Sequence, residues 1–209
     1  MKRRIVSIVT ALLLCLGCVA TFASCGTPSP TETANSFLEA VKTQDKDTLK
    51  SVYAGGDELD FSGTSLLGSS SDSSSLSNDV IKKFKKKLLD FDYEVTDENI
   101  KDNKATVKVK LTTYEFGEAM TNLYTEMLEN IWTFSAMSDK QSDAFIEKLF
   151  SKQLDKLKEK SYSSTVKLKL TKSDDGWKVD KIDSDGEFMN GLAGNLIDTI
   201  NSFDDSFDE

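Results

Sequence analysis

Histidine is absent from this 209-residue chain, and its only two arginines are Arg3 and Arg4. Without an imidazole there is no Ser-His-Asp or Cys-His catalytic arrangement, no imidazole base titrating near neutral pH and no His-ligated zinc. Without arginine in the rest of the chain there is no bidentate guanidinium clamp for a carboxylate or a phosphate. The absence of these side chains excludes the catalytic arrangements that most hydrolases and transferases use. We therefore predict no catalytic residue, no metal site and no cofactor.

The N-terminal 26 residues have the organisation of an export signal. A basic start, Lys2–Arg4, is followed by an uncharged run, Ile5–Phe22, and then by the small residues Ala23 and Ser24 before Cys25. A cysteine placed directly after small residues resembles a bacterial lipobox, whose cysteine is diacylated and becomes the first residue after cleavage. We predict cleavage between Ser24 and Cys25, which removes residues 1–24, and lipidation of Cys25.

An uncleaved signal-anchor helix is the alternative, because about 18 apolar residues just span a bilayer. Both interpretations attach the chain to a membrane and place the remainder outside the cytoplasm. All three cysteines lie at or before position 25. A mature chain that begins with a lipidated Cys25 therefore has neither an intramolecular disulfide nor a thiol nucleophile. Residues 25–30 form a tether that spans at most about 17 Å from Gly26 to Pro30.

The charge balance limits the partners. The chain has 26 basic and 35 acidic residues, a net charge of −9; loss of the three basic residues of the signal leaves 23 against 35, or −12. A balance of this sign argues against nucleic acid, which needs a basic footprint. It also argues against docking on anionic lipid, so that an anchored domain is expected to stand upright. The predicted partners are the membrane, through the lipid, and either a small apolar ligand or an envelope protein.

Hydrophobic periodicity predicts an α+β fold. Helical spacing begins after Thr31, the expected N-cap, resumes after Asp45 and again over residues 78–89, and returns in one C-terminal helix from Glu187. Alternating apolar and polar residues predict about four antiparallel strands, over residues 91–96, 105–113, 165–171 and 177–182, with a turn over 97–104.

Two long helices are expected between the second and third strands. An apolar stripe begins at Phe116 and continues to Phe134, and Ser138 with Gln141 forms a capping box that opens the next helix. Their short joint predicts an antiparallel hairpin inserted over residues 116–160.

A serine-rich segment, residues 62–77, contains nine serines. Serine competes for its own backbone and buries little surface, which predicts a flexible loop inside one domain of residues 31–209. An interdomain linker or a glycosylated stalk is the alternative.

Acidic clusters are the remaining candidates for chemistry. The segment 181–187 fits a calcium loop poorly, because Lys181 and Leu192 fall where an EF-hand loop requires acidic residues, and we interpret it as a turn. The carboxylate pairs on one helix face are Glu115 with Glu118 and Glu126 with Glu129. General acid–base work needs a buried, pKa-shifted member, which sequence does not reveal.

Two segments carry a family resemblance. Residues 29–42 read SPTETANSFLEAVK and are followed by Asp45 and Leu49, and residues 175–180 read DGWKVD. Over residues 29–115 and 162–203 the chain resembles small Gram-positive lipoproteins with a nuclear-transport-factor-2-like (cystatin-like) domain. The resemblance implies a curved antiparallel sheet with helices in its concave side. It also implies a cone-shaped pocket that relatives use for small ligands, isomerase chemistry or protein contacts.

We expect Tyr93, Tyr114 and Trp177 to line such a pocket, or otherwise to pack in the core, and Trp132 or Phe134 of the inserted hairpin to be able to fill it. The predicted function is a non-catalytic, membrane-anchored module that binds a ligand or a protein. The alternative is a small isomerase or dehydratase with a desolvated carboxylate and a tyrosine hydroxyl.

Overall fold

A computed structural model describes residues 27–57, 59 and 76–205, with side chains up to Phe203. The predictions on the signal peptide, on Cys25 and on residues 62–75 of the serine-rich segment fall outside these described residues and stay predictions. No helix among the described residues has both the length and the hydropathy to span a bilayer.

The described part of the chain contains eight helices and four strands, and the α+β prediction is confirmed. In chain order they are α1 (Pro30–Thr43), α2 (Lys46–Val52), α3 (Asn78–Leu88), β1 (Asp92–Lys101), β2 (Lys104–Thr113), α4 (Phe116–Glu129), α5 (Ile131–Ser135), α6 (Asp139–Lys156), β3 (Tyr162–Ser173), β4 (Gly176–Val179), α7 (Glu187–Leu192) and α8 (Leu196–Asp205).

The strands form one curled, antiparallel sheet in the order β1-β2-β3-β4, and it does not close into a barrel. Because side chains alternate across a strand, one face of the sheet is apolar and buried. The fully or almost fully buried members of this face are Val107, Val109, Leu111, Val166, Leu168, Leu170 and Val179. The opposite face carries mainly lysine and threonine, as the alternation predicts.

Strand β1 is longer than predicted. It continues through the segment assigned to a turn and ends at Lys101, so that only Asp102 and Asn103 form the turn. Its pairing with β2 shifts register between Val95 and Asp97. A bulge of this kind reverses the side-chain alternation, which is why the period of two is not visible beyond Thr96.

Strand β4 is shorter than predicted and ends at Val179. Tyr53 forms a parallel bridge with Val179, and its hydroxyl accepts a hydrogen bond from the Ile182 amide at 3.0 Å. The backbone at Ile182 therefore bonds to a side chain and does not extend the sheet.

Helices α1 and α7 cover the apolar face of the sheet. Helix α1 begins at Pro30 with Ser29 as its N-cap, in a capping box with Glu32, and not with the expected Thr31. Proline suits the first helical position because it lacks an amide hydrogen that would be unpaired there. Phe37 of α1 is fully buried, and its ring lies 5.7 Å from that of Phe188 in α7.

Two helices predicted as continuous are interrupted. The first ends at Glu129; the side-chain amide of Asn130 donates to the Glu126 carbonyl at 2.7 Å, and the short α5 follows. The C-terminal helix breaks between α7 and α8, where Gly194 and Asn195 have φ of 55° and 64°. Left-handed backbone at two successive residues cannot continue a right-handed helix.

Helices α3, α4, α6 and α8 pack together at one end of the sheet. Helices α4 and α8 begin side by side, where the Gly117 amide donates to the Gly194 carbonyl at 2.9 Å. They run in the same direction, and Tyr124 stacks on Phe203 further along at 4.7 Å. Phe84 of α3 is fully buried and joins α3 to α4 and α6 through Phe116 and Phe150, whose rings lie at 5.3 and 6.0 Å from its own.

The N-terminal tether and the hairpin lie at opposite poles. Thr27 approaches Gly176 in the β3–β4 hairpin, and the Thr31 hydroxyl donates to Glu98 at 2.7 Å near the β1–β2 turn. Helix α4 leaves from the other end of the sheet, after β2. The base of the hairpin therefore lies at the end of the sheet that is away from the tether.

Candidate functional site

The three side chains predicted to line a pocket are not brought together. Tyr93 lies on β1 and Trp177 on β4, which are the two edges of the sheet. Three strand spacings separate those edges, about 14 Å. Tyr114 follows the end of β2, at the pole from which α4 departs.

Tyr93 and Trp177 each contact neighbouring side chains. The Tyr93 hydroxyl donates to Glu39 at 3.4 Å, and its pKa is raised, first by burial and then by the Glu39 carboxylate. Trp177 is only 8% exposed, and the Lys172 ammonium lies 5.8 Å from its ring. Both side chains pack against their neighbours, and their ligand-binding role stays a prediction.

Tyr114 is buried in a polar and aromatic corner. Its hydroxyl donates to Asp90 at 2.8 Å, and this hydrogen bond is the main cause of its raised pKa. The Lys87 ammonium lies over the Tyr114 ring at 4.3 Å, and the Phe116 ring packs edge-on at 6.1 Å. This position links the sheet end to α3 and α4.

A cleft of about 380 Å³ lies at the base of the hairpin, between the start of α4 and the segment after α6. None of the three predicted ligand residues lines it. Its lining residues are Glu115, Glu118, Ala119, Asn122, Gln153, Lys156, Leu157, Lys158, Glu159 and Ser161.

The first predicted carboxylate pair lies in this cleft. Glu118 shares a hydrogen bond with Glu115 and raises the pKa of Glu115. The second pair does not act as a pair: Glu126 accepts from Gln153 at 3.0 Å and forms an ion pair with Lys152 at 2.5 Å. The hydrogen bond from Lys152 lowers the pKa of Glu126.

Neither pair supplies a desolvated carboxylate. Among the residues that the structure describes, the buried polar side chains are Thr33, Thr113 and Gln153, and none of them is acidic. The described residues also contain no group of three or more acidic, histidine or cysteine side chains able to hold a metal ion.

An exposed apolar patch lies at the far end of the hairpin. Trp132 is 87% exposed, Leu128 is 50% exposed and Ile131 is 47% exposed, and no residue of α5 is buried. We call these three residues the tip cluster. Trp132 does not fill a pocket, whereas Phe134 packs against Phe145 with ring centroids 6.4 Å apart.

The sequence alone predicted the helical hairpin but not the exposure of the tip cluster. Helical spacing assigned Trp132 to the buried stripe of a helix continuing to Phe134. The break at Asn130 starts a new helix, so Trp132 no longer follows the inward face of α4. A single exposed tryptophan beside Ile131 and Leu128 is unusual, because large aromatic side chains are normally covered in monomeric proteins.

The border of the tip cluster is acidic. Glu129, Asp139 and Asp143 lie in the adjoining turns of α4 and α6, and Lys140 is the one basic residue between Leu128 and Glu147. No described ion pair involves these three carboxylates. An apolar centre with a charged border is the usual composition of a protein-binding patch.

No protein-family model matches the chain, and no curated protein matches it. Among solved structures, the chain matches a putative lipoprotein, ycdA from Bacillus subtilis, with 16% sequence identity and a TM-score of 0.42. The match covers 82% of this chain and 59% of the ycdA chain, so this chain spans about three fifths of the length of that protein.

Proposed function

We propose that the chain is a lipoprotein anchored through Cys25 at the extracytoplasmic face of the cell membrane, where it acts as a non-catalytic protein-interaction module. The observation that carries the interaction role is Trp132, which is 87% exposed on the short helix α5 between the two long helices of the hairpin. Burial of one such side chain and its two apolar neighbours supplies the central anchor that protein interfaces require. The anchor itself rests on the order of charge, apolar run and small residues before Cys25.

The partner that suits the tip cluster is a protein with an apolar groove bordered by lysine or arginine. Glu129, Asp139 and Asp143 would face such a border, and complementary charges accelerate association and select the partner. A second copy of this chain fits less well, because its tip carries the same negative charges. Anionic lipid head groups are disfavoured for the same reason.

The anchor is tested by replacing the lipidated cysteine. We expect Cys25→Ser to abolish both acylation and the cleavage that depends on it, while the wild-type chain begins at residue 25 and partitions into detergent. Two acyl chains hold a protein at a membrane because each buried CH₂ contributes about 0.8 kcal/mol. Intact-mass spectrometry and detergent partition give the result. A wild-type chain that still begins at Met1, or that stays in the aqueous phase, contradicts the anchor.

The interaction role is tested at Trp132. Native electrophoresis of membranes solubilised in mild detergent should show the wild-type chain in a complex larger than the monomer, and Trp132→Ser should return it to monomer size. Ile100→Ser is the matched control, because Ile100 is 52% exposed but lies near the opposite pole. Reversing charge with Asp139→Lys should weaken the complex as well. A complex that survives Trp132→Ser, or is lost equally in the control, overturns the role of the tip cluster.

A further inference from the structure

The face of the sheet that points away from the helices is rich in lysine. The even-numbered residues of β2 and the odd-numbered residues of β3 point to this side, and none of the described helices covers it. We call it the lysine face. Its basic members are Lys101, Lys104, Lys108, Lys110, Lys167, Lys169 and Lys178.

Positive charge exceeds negative charge on this face. The four carboxylates on the same side are Asp92, Glu94, Asp97 and Asp180, which gives an excess of three positive charges in a chain of net charge −9. One of these four carboxylates, Asp92, is already paired with a lysine outside the face. The Lys160 ammonium donates to both oxygens of Asp92 at 3.0 Å. The charge of the protein is therefore segregated.

Several of these lysines have no internal partner. Lys108 forms an ion pair with Asp97 at 2.9 Å. Among the described residues, Lys110, Lys167 and Lys169 make no ion pair and no side-chain hydrogen bond, and all three are exposed. Their ammonium groups are free to meet an external anion.

The lysines also stand where they repel one another. Lys108 on β2 is directly opposite Lys167 on β3, and Lys101 on β1 is directly opposite Lys104 on β2. Like charges directly across an antiparallel pair destabilise the sheet. Threonine at these positions would give the same strand propensity without that repulsion. An external anion relieves the repulsion, and this favours a binding role over a merely solvated face.

The tether brings this face within reach of a bilayer. Thr27 lies beside Gly176 at the edge strand, and only a few residues separate it from Cys25. The net negative charge of the whole chain does not prevent contact between this face and anionic head groups. Charges that lie further apart than the Debye length, about 8 Å at physiological salt, are largely screened. Head groups that touch the face are screened from acidic residues elsewhere on the molecule and interact mainly with the nearby lysines.

We infer that the lysine face is a docking surface for the anionic head groups of the membrane to which the chain is tethered. The inference rests on the proposed anchoring through Cys25. It replaces the upright orientation expected from net charge with one in which the sheet lies on the bilayer.

The test uses the lipidated chain in vesicles and the reactivity of individual lysines. The chain is reconstituted into phosphatidylcholine vesicles with or without phosphatidylglycerol, acetylated briefly with a membrane-impermeant reagent and mapped by mass spectrometry. We expect Lys110, Lys167 and Lys169 to lose reactivity several-fold only when phosphatidylglycerol is present, and to regain it in 1 M salt. Lys82 and Lys86, exposed on α3, are internal controls that should keep their reactivity.

Matched variants measure the contribution of the face. The mature chain from residue 25 with Cys25→Ser, made without residues 1–24, lacks both the lipid and the basic, apolar signal. Flotation with phosphatidylglycerol vesicles, minus flotation with phosphatidylcholine vesicles, then measures its charge-dependent binding. Since each lysine near an anionic surface contributes on the order of 1 kcal/mol, Lys167→Gln with Lys169→Gln should weaken this charge-dependent binding about tenfold or more. Lys82→Gln with Lys86→Gln removes the same charge and should leave it unchanged.

The possible results distinguish a failure of this inference from a failure of the proposed anchoring through Cys25. A wild-type chain that fails to float with neutral vesicles contradicts the anchor alone, because the charge-dependent flotation still tests the face. Equal reactivity of the face lysines in both vesicles overturns the inference. So does protection by soluble poly-glutamate without protection by phosphatidylglycerol, which would assign the face to an acidic protein segment.

Discussion

Phe84→Ala should weaken the packing of α3 against α4 and α6, and the cost can be calculated from the structure. Phe84 is fully buried, packs edge-on against Phe116 at 5.3 Å and lies 6.0 Å from Phe150. A buried aromatic side chain removes 150–250 Å² from water. Truncation to alanine loses that transfer free energy and leaves a cavity, which together cost about 3–5 kcal/mol. A whole domain is stable by only about 5–15 kcal/mol.

Urea unfolding monitored by Trp177 measures this cost. Trp177 is 8% exposed and Trp132 is 87% exposed, so the Trp132→Phe background leaves one buried fluorophore on the sheet. We expect the free energy of unfolding to fall by about 4 kcal/mol and the midpoint temperature by roughly 10 °C. A decreased denaturant slope in the variant would indicate that the helical layer and the sheet unfold separately.

The same truncation at the hairpin tip is the control. Phe134 is only half-buried and has one described ring contact, with Phe145 at 6.4 Å. Because its cavity opens to solvent, Phe134→Ala should cost about 1 kcal/mol or a little more. If Phe84→Ala is no more destabilising than Phe134→Ala, then Phe84 does not hold α3, α4 and α6 together, and the reasoning is refuted.

Two further predictions concern α4 and the cleft. Gly117→Ala should destabilise the protein by about 1–3 kcal/mol, because a Cβ there would lie 2.7 Å from the Thr199 hydroxyl and 2.8 Å from the Asn195 carbonyl; thermal unfolding measures this, and Thr199→Ala should restore only part of the loss. In the cleft, the pKa of Glu115 is raised above its ordinary value of 4.5 because Glu118 shares a hydrogen bond with it. The folded state then holds the proton more tightly, so the stabilisation present at lower pH is lost as the pH rises above 4.5 through the folded pKa. Carbon-detected NMR titration should show a midpoint that returns toward 4.5 in Glu118→Gln, and an unchanged midpoint would contradict the shared hydrogen bond.

Much of the fold could be predicted, because the spacing of apolar residues along a helix or a strand indicates which side chains are buried. The alternation in residues 105–111 and 166–170 placed the correct side chains on the buried face, and the helical spacing from Ala34 to Val41 located the face of α1. The Asp45 N-cap and the Ser138–Gln141 capping box were also predicted, since capping depends on residues three or four apart. Composition alone removed histidine, arginine and thiol chemistry from the domain.

Only the tertiary structure decided how these elements are interrupted and where they meet. The bulge near Thr96 and the left-handed pair Gly194–Asn195 depend on pairing and packing with distant segments, and neither leaves a periodic signal. For the same reason Tyr93 and Trp177, both predicted for one pocket, fall on opposite edges of the sheet.

The two candidate surfaces, the lysine face and the tip cluster, also depend partly on the sequence and partly on the tertiary structure. Strand alternation determines that lysines share a face, because the side chains of one strand have no other arrangement. That Lys108 stands opposite Lys167 is a matter of register between strands far apart in the sequence. The exposure of Trp132 likewise depends on the chain break at Asn130 and on which helices pack beside α4, since an apolar residue at helical spacing is buried only where another element covers it.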